Sequence, residues 1–237
     1  MKSAPSNSLL IVMAKRPTEG TVKTRLCPPL TPRDAMMLYE AFLRDTIDMV
    51  SQASRLAGDV TPAIAYAPEE ARDYFRELAP DNFVLLPQVG SDLGERLCNL
   101  PYQAQRLGYD MFAMISSDSP TLRPDVPAKC FAYLREPEVD VALGPCEDGG
   151  YYLIGMKTPQ PALFAGINWS TASVTRDTLE AAEKAGLSVA SLSLWYDADT
   201  VEDLGRMWAD LEGDGTSAPR THAVLADLLP RALFEIK

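Results

Sequence analysis

Residues 9–26, LLIVMAKRPTEGTVKTRL, contain the pattern that decides the fold. They begin with a six-residue apolar run, Leu9–Ala14, which Lys15 and Arg16 end at once. Six apolar residues are too few for a membrane span or for the hydrophobic part of a signal peptide. The run is therefore predicted to be a buried strand that leads directly into a basic loop containing one glycine.

Short apolar runs and longer helical patterns alternate along the rest of the chain. The predicted strands are Leu9–Met13, Ala63–Ala67, Phe83–Leu86, Met111–Ile115, Val139–Leu143, Tyr151–Gly155 and Val189–Leu194. Helices are predicted from Pro32 onward, from Asp92 to about Leu107, and over 69–78, 124–135, 172–185, 200–212 and 222–235. This alternation predicts an α/β fold with a mainly parallel, doubly wound sheet, and 237 residues fit one large domain, 1–237.

One segment and one residue depart from these patterns. The strands at 139–143 and 151–155 are too close together for a helical crossover, so they predict a short antiparallel excursion. Thr31 is predicted to cap the long helix that begins at Pro32. Asp45 interrupts the apolar stripe of that helix and leaves its register open.

The composition excludes several classes of function. With 22 basic and 33 acidic residues the net charge is −11, which disfavours nucleic acid and anionic membranes as partners. His222 is the single histidine, so no multi-histidine metal site can form, and any metal is expected to be Mg²⁺ or Mn²⁺ held by oxygen. Four cysteines without a C-x-x-C pair predict reduced thiols and a cytoplasmic location.

The loop after the first strand carries four basic residues and one acidic residue between positions 15 and 25. A basic cluster with a glycine on an acidic protein is typical of a phosphate-binding loop. Neither G-x-G-x-x-G nor the Walker spacing is present. A solvated surface loop with basic tips is the alternative.

The loop after the fourth strand places Asp118 directly at the end of a buried run. In doubly wound sheets ligands bind beyond the carboxyl ends of the parallel strands, where such a carboxylate can hold a divalent cation. Pro120 keeps Ser119 extended and delays the next helix. A helix cap or an Asx turn is the alternative interpretation of Asp118.

Three later segments each allow two interpretations. Glu147–Tyr152, EDGGYY, offers Asp148 and two glycines to a ligand, or makes only a tight hairpin turn. Asp197 and Asp199 suit a metal contact. The alternative is that Asp199 or Thr200 only caps the helix that follows. Trp169 can stack on a sugar or base, but packing in the core is the commoner role of tryptophan.

Together these motifs resemble one family. The matching blocks are AK-x-P-x-x-G-x-VKTRL at 14–26, G-x-DLGER at 90–96, SD-x-P at 117–120, GP-x-x-DGGYYL-x-G at 144–155, WST at 169–171 and D-x-DT-x-EDL at 197–204. They are similar to bacterial glycosyltransferase-like proteins of the nucleotide-diphospho-sugar transferase superfamily, of the type associated with radical-SAM, selenodomain or arsenosugar genes. The opening loop also resembles phospholactate guanylyltransferases. Ser116 and Val201 depart from the pattern, which usually has glycine and proline there.

The resemblance spans about residues 9–205, leaves 206–237 as a helical tail, and implies a three-layer GT-A-like fold. It implies a metal-dependent enzyme that transfers a sugar from a nucleotide sugar to a small acceptor. Nucleotidylyl transfer from a nucleoside triphosphate, which releases pyrophosphate, and a non-catalytic nucleotide-sensing module are the alternatives. The absence of the G-x-G loop of many sugar nucleotidylyltransferases favours sugar transfer, whereas the similarity to guanylyltransferases weakens that preference.

The hypothesis assigns a role to each candidate residue. The phosphates are expected at Lys15, Gly20, Lys23, Thr24 and Arg25, and the ribose or base at Asp92 and Arg96. Mg²⁺ or Mn²⁺ is expected at Asp118, Asp199 and Asp197. Asp148 is the candidate general base, and the acceptor is expected near Gly149, Gly150, Trp169 and Ser170.

Overall fold

The computed structural model describes residues 7–214 and 217–234. Its seven strands are β1 (Ser8–Lys15), β2 (Val60–Ala67), β3 (Val84–Pro87), β4 (Met111–Ser116), β5 (Val141–Pro145), β6 (Tyr151–Met156) and β7 (Val189–Ser191). They form one sheet in the order β3-β2-β1-β4-β6-β5-β7. Only β6 runs antiparallel to its neighbours, so the predicted mainly parallel sheet with one antiparallel excursion is confirmed.

The described residues form seven α-helices: α1 (Pro32–Ala57), α2 (Arg72–Leu78), α3 (Leu93–Arg106), α4 (Asp125–Leu134), α5 (Val174–Lys184), α6 (Val201–Asp214) and α7 (Pro219–Phe234). Residue 235 of the predicted last helix lies outside the described residues, as do 1–6, 215–216 and 235–237 of the predicted single domain and its tail. Within the described ranges no helix has both the length and the apolar surface that crossing a membrane requires.

Side chains alternate across β1 and are buried on both faces, as a central parallel strand requires. Leu10 and Val12 pack in the cluster formed with α1, α2 and α4. Leu9 and Ile11 pack on the other face, against residues of α3 and α5. The sheet is therefore the middle of three layers.

The start of α1 is capped as predicted, because Thr31 and Asp34 form a capping box. Asp45 is fully buried rather than a break in the helix. Its carboxylate accepts hydrogen bonds from the backbone N–H groups of Arg220 and Thr221 and from Nη1 of Arg220. The residue that spoils the apolar stripe therefore attaches α7 to α1.

The bounds of all seven strands differ from the predicted ones by at least one residue, and for β5 and β7 the structure shows why. Val139 donates to the carbonyl of Glu136 and belongs to the turn after α4, so β5 begins later, at Val141. β7 ends at Ser191, earlier than predicted, and the chain continues beside β5 through single hydrogen bonds from the N–H groups of Leu192 and Trp195. The predicted helix at 69–78 begins as a 3-10 turn over Glu69–Ala71.

Candidate functional site

A crevice of about 800 Å³ opens where the carboxyl ends of β1 and β4 meet the loops that follow them. The residues that line it include all the predicted site residues except Gly20 and Gly149. This is the position in which a doubly wound sheet binds ligands. The single histidine, His222, stacks on Trp208 and is not among the lining residues.

Lys23 has its ammonium group between two carboxylates at one end of the crevice. Its Nζ lies 2.6 Å from Oδ1 of Asp118 and 2.9 Å from Oδ1 of Asp199, and it also donates to the carbonyl of Ala198 at 2.9 Å. The Lys23 side chain is only 5% exposed. The sequence predicts Lys23 as a phosphate ligand, but in this structure its three donors are all directed at protein oxygens.

The backbone around Lys23 directs this side chain inward. Lys23 has a φ of 48° and precedes a 3-10 turn, Thr24–Leu26, of which Leu26 is fully buried. A positive φ is uncommon for a residue with a side chain and is found mainly where surrounding contacts enforce it. Here the ion pairs, together with a position 5.5 Å from the centroid of the Phe42 ring, provide those contacts.

The ion pairs change the acidity of both partners. Burial by itself would lower the pKa of Lys23, but Asp118 and Asp199 raise it above its ordinary value. Burial would raise the pKa of Asp199, and Lys23 lowers it instead. Both groups are therefore charged at neutral pH, and their attraction joins the loop after β1 to the segment after β7.

Asp118 is fixed by backbone contacts as well as by Lys23. Its N–H donates to Oγ of Ser116 at 3.0 Å, and its carbonyl accepts from the N–H of Ala198 at 3.0 Å. The hydroxyl of Tyr39 accepts from the N–H of Lys15 at 2.9 Å and lies 3.1 Å from Oγ of Ser117. Hydrogen bonds thus hold Asp118 where the end of β1, the loop after β4 and the segment after β7 meet.

Asp197 also lines the crevice, but it is bound differently from Asp199. It accepts a short hydrogen bond from Oγ of Ser119. Burial and then the neighbouring Asp118 raise the pKa of Asp197 to about 7. The alternative of a helix cap is confirmed for Thr200, which caps α6 through reciprocal hydrogen bonds with Asp203, and is wrong for the two aspartates.

The oxygen atoms around Nζ of Lys23 suit a divalent cation by their chemistry. Two carboxylates and one backbone carbonyl converge on a point that already holds a positive charge. Mg²⁺ in nucleotide enzymes is commonly held by one or two carboxylates together with substrate phosphates. Among the described residues, however, no group of three or more histidine, cysteine, aspartate or glutamate side chains is arranged to hold a metal ion.

The other predicted phosphate ligands differ in their exposure. Lys15, Thr24 and Arg25 are exposed on the crevice wall, and Nη1 of Arg25 lies 3.5 Å from Oδ2 of Asp199. Gly20 does not line the crevice. It has a φ of 74° in a turn where the N–H of Thr21 donates to the carbonyl of Thr18, so the turn accounts for the glycine, and its contact with a phosphate stays a prediction.

Asp92 and Arg96 are tied to the start of α3. Oδ1 of Asp92 accepts from the N–H of Glu95 at 2.8 Å, as in the predicted cap, but Glu95 reaches Ser91 and not Asp92. Nε of Arg96 donates to the carbonyl of Gly90 at 3.1 Å. Both side chains line the crevice while supporting the loop before α3.

Sequence reasoning missed Gln88, which follows β3 on the same wall. Its Nε2 donates to the carbonyls of Ala14 and Ala65 at 3.0 and 2.8 Å, and these two bonds use both amide hydrogens. The amide oxygen of Gln88 is thereby fixed as an acceptor. The signal in the sequence was a polar residue directly after a buried strand.

The β5–β6 turn contributes Asp148 and Gly150. Asp148 is exposed, and its Oδ1 accepts from the N–H of Gly150 at 2.8 Å, which is the local turn bond of the alternative interpretation. Gly149 does not line the crevice. A Cβ there would overlap the carbonyl of Ala172, so this glycine allows the turn to contact the segment before α5, and its place beside the acceptor stays a prediction.

Trp169 and Ser170 line the crevice beside the start of α3. The indole packs against Gly94, where a Cβ would overlap Nε1, and its ring lies 6.3 Å from that of Tyr151 in an edge-to-face arrangement. Trp169 is half-buried and lines the crevice, so it combines core packing with access to a ligand. Ser170 is exposed with a φ of 63°.

A comparison with protein families identifies the family of this chain. The family model DUF2064, described as an uncharacterized protein conserved in bacteria, matches residues 49–171, which is just over half of the chain. The chain belongs to the DUF2064 family. The matched residues include Asp118, Asp148 and Trp169, whereas Lys23 and Asp199 lie outside them.

A solved structure of similar length supports the same relationship. A protein from Desulfovibrio desulfuricans G20, provisionally named a nucleotide-diphospho-sugar transferase, has 31% sequence identity and a TM-score of 0.85. The match covers 96% of this DUF2064 chain and 97% of that chain. The comparison with curated proteins found no match.

More distant structures share the fold. They include a CMP:2-keto-3-deoxy-manno-octonic acid synthetase complexed with CTP, at 12% identity and a TM-score of 0.53, covering 88% of this chain and 100% of that one. A cytidylyltransferase from Leptospira borgpetersenii serovar Hardjo-bovis has 11% identity and a TM-score of 0.53, covering 96% and 97%. These matches confirm the GT-A-like α/β fold of the DUF2064 chain.

Proposed function

We propose that this DUF2064 protein is a metal-dependent transferase that moves a sugar from a nucleotide-sugar donor to a small acceptor. The observation that carries the proposal is the convergence of Asp118, Asp199 and the basic loop at one end of a large crevice. The provisional name of the Desulfovibrio relative, at 31% identity, supports the same class. The finer relationship to arsenosugar-associated transferases or phospholactate guanylyltransferases stays a prediction.

The crevice divides into two ends with different chemistry. Lys15 and Arg25 present exposed positive charge beside the carboxylates, which suits a diphosphate. Gln88, Asp92 and Arg96 line the wall near α3, where the fixed amide oxygen of Gln88 can accept a hydrogen bond from a nucleobase.

The part of the crevice around Trp169 suits the transferred group. The half-buried indole of Trp169 offers an apolar face, and Gly150 and Ser170 present backbone and hydroxyl groups beside it. Oδ2 of Asp148 has no hydrogen bond to another described residue, since only Oδ1 is used in the turn. Asp148 is therefore the proposed base that accepts the proton of the acceptor hydroxyl.

Asp118 and Asp199 are the proposed ligands of Mg²⁺ or Mn²⁺, and Asp197, next to them, the proposed third acid. A divalent cation bound there supplies electrostatic stabilisation of the charge that develops on the leaving diphosphate. Lys15 and Arg25 supply further positive charge on the outer side. The chain's own contribution is to fix these groups before substrate arrives, through the hydrogen bonds among the three loops.

Nucleotidylyl transfer is the second candidate, because the same carboxylates and cations would serve a triphosphate equally well. Product analysis separates the two reactions. Incubation with a panel of nucleotide sugars and acceptors in Mn²⁺ should release a nucleoside diphosphate, whereas a nucleotidylyltransferase would release pyrophosphate from a triphosphate and a sugar phosphate. Ligand candidates can first be ranked by thermal shift, since a ligand at 100 times its Kd stabilises the protein by about 2.7 kcal/mol. No turnover and no ligand in either panel would contradict the proposal.

A further inference from the structure

The ammonium group of Lys23 has no hydrogen left for a ligand. A protonated lysine has three donors, and these meet Asp118, Asp199 and the carbonyl of Ala198 at 2.6–2.9 Å. A phosphate could engage Nζ only by replacing one of these oxygens. The nitrogen therefore acts in this structure as an internal cation of the acidic site and not as an open phosphate ligand.

The acidic groups need a counter-charge where they stand. Asp118 and Asp199 are only 34% and 38% exposed, and Asp197 is half-buried beside them. Carboxylates that share a site repel each other unless a cation or a proton intervenes. Among the described residues Arg25 is the other cation paired with this group, through a 3.5 Å contact to Asp199 from a side chain that is 68% exposed.

We propose that Lys23 holds the position of the divalent cation until a nucleotide arrives, and that its ammonium then moves to the phosphates as the metal enters. An ammonium and a divalent ion cannot share the same three oxygens, because like charges at contact distance repel strongly. The flexible four-carbon stem of lysine permits the movement, and phosphate oxygens replace the lost acceptors. This inference rests on the proposed function, from which it takes the metal and the nucleotide.

The consequence is that metal binding depends on Lys23 itself. In the free protein a metal must displace the ammonium of Lys23. The apparent affinity for the metal is therefore reduced in proportion to the small fraction of molecules in which the ammonium has left the site. Removal of the ammonium should expose a cation site that needs no nucleotide. Lys23→Met is the suitable change, because it keeps an unbranched side chain over Phe42 and removes the charge.

The test is a titration of the full-length protein with Mn²⁺ alone, with free Mn²⁺ followed by electron paramagnetic resonance. Lys23→Met should bind Mn²⁺ at least about tenfold more tightly than the wild type. Lys129→Met is the matched control, since Lys129 lies 5.2 Å from the Tyr133 ring centroid but has no carboxylate partner among the described residues. The control should bind Mn²⁺ as the wild type does, and Asp118→Asn added to Lys23→Met should abolish the gain. Equal Mn²⁺ affinity of Lys23→Met and wild type would overturn the proposal.

If Lys23→Met does not fold without metal, its melting temperature decides instead. Recovery of a cooperative transition by millimolar Mn²⁺, but not by NaCl of equal ionic strength, supports the proposal, and no recovery contradicts it. The readout does not involve turnover. If Lys23→Met binds Mn²⁺ more tightly but the wild type has no transferase activity, this inference stands and the proposed function fails. If the wild type shows metal-dependent turnover but Lys23→Met binds Mn²⁺ no more tightly, the proposed function stands and this inference fails.

Discussion

Nζ of Lys23 lies 2.6 Å from Oδ1 of Asp118, so the loop after β1 and the loop after β4 are joined by an ion pair whose lysine is almost closed to solvent. The sequence indicates both loops separately as parts of a site. Their contact shows that the two form one structural unit, to which the segment after β7 is added through Asp199. Substitutions in these ion-paired loops test what they contribute to metal binding and turnover.

The first prediction concerns Asp118. Asp118→Asn should reduce metal-dependent turnover by about a hundredfold or more, because the charge that holds the cation is lost. The buried Lys23 keeps Asp199 and the carbonyl of Ala198, so the loss in unfolding free energy should be moderate, about 1–3 kcal/mol. Initial rates and urea unfolding measure the two effects. Asp73→Asn, at an exposed aspartate of α2, is the control, and a wild-type rate for Asp118→Asn would remove the metal assignment.

The second prediction concerns the contact between Gly94 and Trp169. Gly94→Ala should displace the indole and raise KM for the nucleotide substrate by about tenfold, because small displacements of positioning groups are costly. In a Trp169→Ala background the same change should have much less effect. Gly205→Ala is the control, since a Cβ at Gly205 meets no atom within 4 Å and should stabilise α6 by up to about 1 kcal/mol. Equal effects of Gly94→Ala in both backgrounds would show that the contact does not matter.

The third prediction concerns the buried Asp45. Asp45→Ala should lower the unfolding free energy by about 3 kcal/mol or more, because it leaves two backbone N–H groups at the start of α7 and the Arg220 guanidinium without their acceptor. Asp48→Ala, which removes an exposed partner of the same arginine, should cost less than about 1 kcal/mol. Denaturant titrations compare the two, and similar losses would contradict the role of Asp45.

The sequence predicts what depends on local pattern and misses what depends on distant pairing. Short continuous apolar runs place β1 and its neighbours, and Thr31 with Asp34 shows where α1 begins. Asp45 is a defect in a helical pattern until Arg220 is brought beside it by the fold. Lys23 is one basic residue among four in its loop, and only the approach of Asp118 and Asp199 shows that it is the buried one.

Two glycines also show what a sequence motif cannot predict. Gly20 and Gly149 both stand in motifs that favour a ligand contact, and both instead have local backbone reasons for being glycine. A motif records that a residue without a side chain is needed, but not which atoms come close to it. For Gly149 those atoms belong to Ala172, which only the fold places there.

The fourth prediction concerns pH. Burial and Asp118 raise the pKa of Asp197 to about 7, above the ordinary value of 3.8, so the folded protein holds a proton that the unfolded chain has lost between these values. The contribution of Asp197 to stability is therefore complete at low pH and declines as the pH rises through this interval. In EDTA, the unfolding free energy of the wild type should fall from about pH 4 to about pH 7 more steeply than that of Asp197→Asn. Identical slopes would contradict a protonated Asp197.

The most direct test of the account is the position of the metal in a crystal of the protein grown with Mn²⁺ and pyrophosphate. The anomalous signal of manganese should lie between the carboxylates of Asp118 and Asp199, with Nζ of Lys23 on a phosphate oxygen. Manganese bound elsewhere, with Lys23 still between the two carboxylates, would contradict it.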